Sequence, residues 1–325
     1  MVDFRRVLCP VDFSRHSERA LRQAFAIARR YESALTVLHV EDVMLGAARA
    51  ELHRRATLVD TSHDELLDFV HDVGGHEPGV DVRITAGDVV RGILDHAKHK
   101  SSDLIVMGTR GRSGLARAIL GSVTEGVVRQ SACPVMTIPP ASEMPSTTGE
   151  FEPYDPILCA SDFSPSCRKA LGLAISLGQE TDARLSLIHG LQLPQVESGV
   201  MPMSFPMPIP IDFAEFRKDA LARLERGLPD DAEFRCRPEA VVVEGHPADA
   251  ILQIAQTENV KLIVMGVQAR GTVDRLLFGS TTRLVMQAAL CPVLSIRADQ
   301  AALPWAVWPP PIHEQISVAT ASSSM

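Results

Sequence analysis

Three glycines, Gly108, Gly111 and Gly121, stand in one run, GTRGRSGLARAILGSVT, which opens at Gly108 directly after the apolar stretch DLIVM. Two residues separate the first pair and nine the second, and Ser122 and Val123 follow at once. Glycine tolerates positive φ and lets backbone N–H groups approach an anion, and the first N–H groups of a helix favour phosphate. The run therefore has the make-up of a phosphate cradle. Arg110 and Arg112 could pair with phosphates at its rim, although arginines of an exposed loop are often only solvated. Asp12, in LCPVDFS, closes an apolar run of its own. Ligands of open parallel sheets lie beyond the carboxyl ends of the strands where strand order reverses, so Asp12 and Gly108 flank one crevice if their strands are neighbours. A turn or capping role for Asp12 is the competing structural reading.

Other chemistries find less support. The sequence holds no GxxxxGK[ST] loop, no GxGxxG after its first strand and no GxSxG elbow, so it matches neither a P-loop NTPase, nor a dinucleotide fold, nor an α/β hydrolase. The Gly-rich run brings hydroxyls and arginines but no evident base beside a γ phosphate, which favours binding over turnover. His39 and His189 read as imidazoles bonded to backbone rather than as catalytic bases. His96 and His99 with Asp95 supply too few ligands for a metal site. The cysteines read as small buried hydrophobes.

The elements that must carry these residues occur twice. LCPVDFS at 8–14 returns as LCASDFS at 158–164, and TVLHV at 36–40 as SLIHG at 186–190. DLIVMGTRGRSG from Asp103 returns as KLIVMGVQARGT from Lys261, and GSVTEGVVRQSACPVMTI from Gly121 as GSTTRLVMQAALCPVLSI from Gly279. The offset grows from about 150 to about 158 residues, so the second copy carries roughly eight more, in the interval that holds the Met/Pro-rich stretch 201–211, expected as an extended loop. Within a copy, short apolar runs alternate with amphipathic segments, the pattern of parallel strands joined by helices. The strands of the first copy are expected at Arg6 to Val11, Ala34 to Val40, Val80 to Thr85, Asp103 to Gly108 and Pro134 to Ile138. Ser14 and Ser164 read as N-caps, the latter with Pro165 at the first helical position. The organisation expected is a first domain at 1–142, a linker at 143–155, a second domain at 156–298 and a poorly ordered tail at 299–325.

Composition bounds the partners. With 325 residues, 46% hydrophobic and 22% charged, the chain can build two ordinary cores. A net charge of -8 disfavours nucleic acid or an anionic membrane as the main partner. The longest apolar irregular stretch is too short and too rich in proline to span a bilayer. Six cysteines without CxxC spacing fit a reduced compartment, and the opening MVDFRRVLCPVDFS lacks a signal-peptide pattern, so a cytoplasmic location is expected.

The spacing of Gly108, Gly111, Gly121 and Ser122, with Asp12 and the closing CPV strand, resembles the ATP-binding signature of the universal stress proteins, in a tandem two-domain form. The resemblance implies two doubly wound, Rossmann-like α/β domains, each a five-stranded parallel sheet in the order 3-2-1-4-5. It implies an adenine nucleotide, ATP with or without Mg, bound by a regulatory or stress-response protein that acts on an unidentified protein partner. It further implies Asp12 near the ribose or adenine, the Val40 backbone at the adenine, Gly108 and Gly111 along the phosphates, and Gly121 and Ser122, with Val123 next to them, at the β and γ phosphates. The second copy retains Asp162, Gly266, Gly279, Ser280 and Thr281 but has Ala269 where Gly111 stands in the first. A slow ATP hydrolase or nucleotidyl-transfer enzyme, and an interaction module with vestigial sites, are the competing functions. The last strands of the two copies, with their CPVMTI and CPVLSI segments, are expected to pair into an intramolecular pseudo-dimer. A chain so built is also compatible with homo-oligomers.

Overall fold

The computed structural model describes residues 2–42, 58–74, 79–111, 120–140, 151–192, 213–228, 235, 236, 238–268, 279–301 and 303. The first copy forms β1 (Arg6–Val11), α1 (Arg15–Tyr31), β2 (Ala34–Asp42), α2 (Leu58–Gly74), β3 (Asp81–Gly87), α3 (Val89–His99), β4 (Leu104–Gly108), α4 (Ser122–Gln130) and β5 (Val135–Ile138). The second forms β6 (Ile157–Ala160), α5 (Pro165–Thr181), β7 (Leu185–Leu191), α6 (Phe213–Arg226), β8 (Pro238–Glu244), α7 (Pro247–Thr257), β9 (Leu262–Val267), α8 (Ser280–Ala288) and β10 (Val293–Arg297). The strands expected from the sequence are all present, with ends displaced by at most two residues. The Met/Pro-rich stretch 201–211 lies outside the described residues.

Strand alternation explains why helices cover both faces. Val7, Cys9 and Val11 of β1 point into one core with Leu21, Phe25 and Ile27 of α1, and Leu66 and Val70 of α2. Leu8 points into the other, with Ile93 of α3 and Val127 of α4. A strand buried on both sides needs a continuous apolar run rather than an alternating one, which is what LCPV and LIVM supply. Two hydroxyls fix where the first helix of each copy begins. Ser14 Oγ accepts from Ser17 N at 3.2 Å, and Ser164 Oγ from Cys167 N at 3.3 Å, so both expected caps hold; such a cap contributes about 1 kcal/mol.

Each copy has the strand order 3-2-1-4-5, and the two join into a ten-stranded sheet, β3-β2-β1-β4-β5-β10-β9-β6-β7-β8. Pairing is parallel within each copy. At the seam β5 and β10 pair antiparallel, with Met136 opposite Leu294. One of their buried rows is not wholly apolar: Thr137 Oγ1 donates to Val293 O at 3.3 Å and Ser295 Oγ to Val135 O at 3.0 Å. The expected pairing of the last strands is thus present within one chain. It satisfies the backbone groups of two edges that would otherwise be open to association.

Packed residues lie at the edges of the tail and the linker. The start of the region expected as a loose tail is docked: Gln300 is buried, and its Nε2 donates to Ser131 O at 3.0 Å and Cys133 O at 2.8 Å. The linker closes with packed residues too. Tyr154 is buried, its hydroxyl accepts from Gln23 Nε2 at 2.7 Å, and its ring meets Phe151 edge-on at 5.2 Å. Both segments cross from one copy to the other, so the seam gains side-chain contacts that the strands alone do not give. Residue 302 and residues 304–325 of the expected tail, and residues 141–150 of the linker region, lie outside the described residues.

Candidate functional site

In each copy β1 or β6 lies between two strands that leave in opposite senses, the switch point where open sheets bind ligands. The register pairs Val11 with His39, so the chain beyond them brings Asp12 level with Val40. On the other side β4 delivers Gly108, Thr109 and Arg110. Gly121 N donates to Thr109 O at 2.9 Å, which pins the start of α4 to the end of β4. Gly121 is the N-cap of α4 and brings no side chain to its first turn, so the N–H groups at Ser122 and Val123 meet no competing cap. Thr124 Oγ1 donates to Gly108 O at 2.9 Å from within the same turn. Asp12, Val40, Gly108, Arg110, Gly111, Gly121, Ser122 and Val123 are therefore gathered at one end of the first half-sheet. Arg112 lies outside the described residues.

The glycines are needed for a reason other than the one the sequence suggests. None of Gly108, Gly111 and Gly121 has positive φ; the described glycines that do are Gly79, Gly87 and Gly245. Close packing crowds a side chain instead, most severely at Gly108, where the neighbour is backbone. A Cβ on Gly108 would lie 2.9 Å from His16 O, one on Gly111 2.7 Å from Asp12 Oδ2, and one on Gly121 3.3 Å from Thr109 O. The left-handed backbone sits at Phe13 and Phe163, each at φ 63. Each ring lies tilted against the histidine of the neighbouring strand, Phe13 against His39 at 4.6 Å and Phe163 against His189 at 4.4 Å between centroids. Those imidazoles bond backbone as expected: His39 Nδ1 lies 2.8 Å from Val11 O, and His189 Nδ1 2.8 Å from Ser161 O.

Asp12 also serves the turn. Its Oδ1 accepts from Ser14 N at 3.1 Å and Ser14 Oγ at 2.6 Å, so the structural reading and a ligand role share one carboxylate. Two residues near it went unremarked in the sequence. Thr109 is buried, and its Oγ1 has no hydrogen-bond partner among the described residues; such a group costs about 1–3 kcal/mol. His16 has its pKa lowered, first by burial and then by the charges of Arg110 and Arg19, against the opposing pull of Asp12. Cationic side chains thus gather at the mouth where anionic phosphates would enter.

The second crevice has the same frame with other contents. Gly266 packs still more tightly, a Cβ there meeting Cys167 N and the carbonyl carbon of Ser166 at 2.5 Å. Gly279 caps α8 without a side chain, followed by Ser280 and Thr281. Asp162 Oδ1 accepts from Ser164 N at 2.9 Å and Cys167 Sγ at 2.9 Å, and its Oδ2 from Gln268 Nε2 at 2.6 Å. Burial opposes the charge of Asp162, yet the bonds from Cys167, Ser164 and Gln268 outweigh it and hold the carboxyl below its usual range. The guanidinium of Arg223, on α6, lies 4.1 Å from the centre of the Phe163 ring. Ala269 and Gly271 lie outside the described residues.

Fold and crevices together define a duplicated, doubly wound α/β protein with a ligand-type switch point in each half. The model of the Universal stress protein family matches residues 3–139 and 153–297, and the chain belongs to that family. A universal stress protein of Mycobacterium tuberculosis is 26% identical over 264 residues, covering 78% of each chain. One from Thermus aquaticus is 34% identical over 151 residues, 44% of this chain and 99% of its own. The fold matches the crystal structure of a universal stress protein from Archaeoglobus fulgidus with a TM-score of 0.58 at 23% identity, covering 90% of this chain and 98% of that one. Among the described residues no helix is long and apolar enough to cross a membrane.

Proposed function

We propose that the chain is an adenine-nucleotide-binding regulatory protein of the stress-response type, taking ATP, with or without Mg, in the crevice between β1 and β4. The observation that carries this reading is the convergence at one strand-order switch of Asp12, the buried Thr109 hydroxyl without a partner, and the side-chain-free N-terminus of α4. Asp12 takes the ribose or adenine donors, because a carboxylate beside a triphosphate would be repelled. The Val40 backbone borders the adenine. Gly108 and Gly111 line the phosphate path, Gly121, Ser122 and Val123 receive the β and γ phosphates, and Arg110 supplies positive charge. The same frame stands at Asp162, Gly266, Gly279, Ser280 and Thr281.

Bound phosphates would hold the chain after β4 against α4, changing the surface a protein partner meets at that end of the sheet. All six cysteines are buried and free of disulfides, which supports work in the reducing cytoplasm. Titration calorimetry of ATP and adenosine against the full chain tests the reading. The expected result is saturable ATP binding, weakened by similar factors for both ligands in Asp12→Ala. Absence of binding by the folded, unaltered chain overturns it.

A further inference from the structure

Three differences between the crevices act in one direction. The position after Gly108 is Thr109 and after Gly266 is Val267, so the partnerless buried hydroxyl of the first crevice is replaced by a methyl group that packs into the core. The next position is Arg110 in the first crevice and Gln268 in the second, which removes a cation from the phosphate end. The Gln268 amide also donates to Asp162 Oδ2 at 2.6 Å, at the atom a nucleoside hydroxyl or amino group would need. The third position lies on α1 and α5. Ser17 Oγ donates to Ser14 O at 2.9 Å, whereas Cys167 Sγ, at the corresponding place, donates to Asp162 Oδ1 at 2.9 Å.

Resting on the nucleotide reading above, we infer that Gln268 is the specificity-determining residue of the second crevice: its side chain occupies Asp162 as a built-in competitor, and each chain takes one ATP, in the first crevice. A ligand entering the second crevice must displace a short hydrogen bond to a charged group and finds no arginine at this position for its phosphates. Both losses fall on the ligand, so affinity at the second crevice is at least about tenfold weaker than at the first. The glycine that in the first crevice admits Asp12 Oδ2 within 2.7 Å of a would-be Cβ is, at the corresponding place, Ala269.

Titration calorimetry of ATP on the full chain tests this through stoichiometry. The unaltered chain is expected to bind one ATP, and Asp12→Ala to weaken that event. Exchanging the three loop residues to those of the first crevice, Val267→Thr with Gln268→Arg and Ala269→Gly, is expected to raise the stoichiometry to two. Because a threonine at the buried position 267 could disturb the core, Gln268→Ala alone is the second variant, expected to add a weaker second event while the melting temperature stays near that of the parent. Two equal sites in the unaltered chain overturn the inference alone and leave the nucleotide reading standing. No binding by the unaltered chain overturns both. A stoichiometry of one in the folded Gln268→Ala variant and in the folded triple variant overturns the role given to Gln268.

Discussion

The two crevices share a backbone and differ in how their polar groups are satisfied. In the first, a buried threonine hydroxyl has no partner and an arginine stands beside it. In the second, valine fills the same place, and the carboxylate is held by a backbone N–H, a thiol and an amide. A protein interior tends to satisfy its buried polar groups, so one without a partner among the described residues is an exception at this strand-order switch. Duplication preserved the frame in both halves; the side chains at positions 109 and 110 diverged from those at 267 and 268.

Several measurements break or sharpen that contrast. The largest effect belongs to the helix caps. Gly121→Val crowds the Thr109 carbonyl and is expected to weaken ATP binding by about a hundredfold, ~3 kcal/mol. Gly279→Val, whose Cβ would meet nothing closer than Thr282 Oγ1 at 3.7 Å, is expected to leave the measured ATP affinity of the chain unchanged. Equal losses in the two variants would erase the contrast.

Next comes the exchange of the buried pair. Thr109→Val removes a hydroxyl that nothing satisfies, and in the ligand-free chain it is expected to raise the unfolding free energy by ~1 kcal/mol. Val267→Thr is expected to lower it by ~1–2 kcal/mol. Urea denaturation midpoints check the opposite signs.

Acidity separates the halves by window. The carboxyl of Asp162 is lowered in the folded chain, so its network contributes stability that is complete above the ordinary carboxylate value and is lost as pH falls through the lowered one. His16 is lowered too, but for a base this means that folding disfavours the charged form. Its contribution is complete above the ordinary histidine value of 6.5 and declines as pH falls below it toward the lowered value. Melting curves should therefore lose part of their slope below about pH 6.5 in His16→Ser, and only below about pH 4 in Asp162→Asn. The smallest expected effect is that of Arg223→Ala: loss of an exposed guanidinium from the Phe163 ring costs about 0.5 kcal/mol, read as a small drop in melting temperature.

Most of the frame is legible in the residues. Recurring apolar runs reveal the duplication and the parallel strands, Ser14 and Ser164 declare their helices, and the CPVMTI and CPVLSI strands announce the seam. What stays hidden depends on contacts distant in sequence. Nothing in SDFSPSC says that Cys167 turns back on Asp162, or that Gln268, more than a hundred residues away, closes on the same carboxylate. The glycines of the loop are visible, but their cause is the close approach of α1 at Gly108, of the Asp12 carboxylate at Gly111 and of the Thr109 carbonyl at Gly121, which no local rule on φ reveals. Phe13 and Phe163 carry positive φ without a glycine or asparagine to signal it. Gln300 reads as the start of a tail because the two carbonyls it caps belong to the other copy.

The antiparallel join of β5 to β10 has a vectorial consequence. Strands in the two halves run in opposed directions, so their carboxyl ends, and with them the two crevices, open toward opposite poles of the molecule. A surface that docks over one pole covers a single crevice and leaves its counterpart turned to solvent. The chain is then polar despite its internal twofold: a bare helix start and a carboxylate stand at each pole, with Thr109 and Arg110 beside them at one and Val267 and Gln268 at the other.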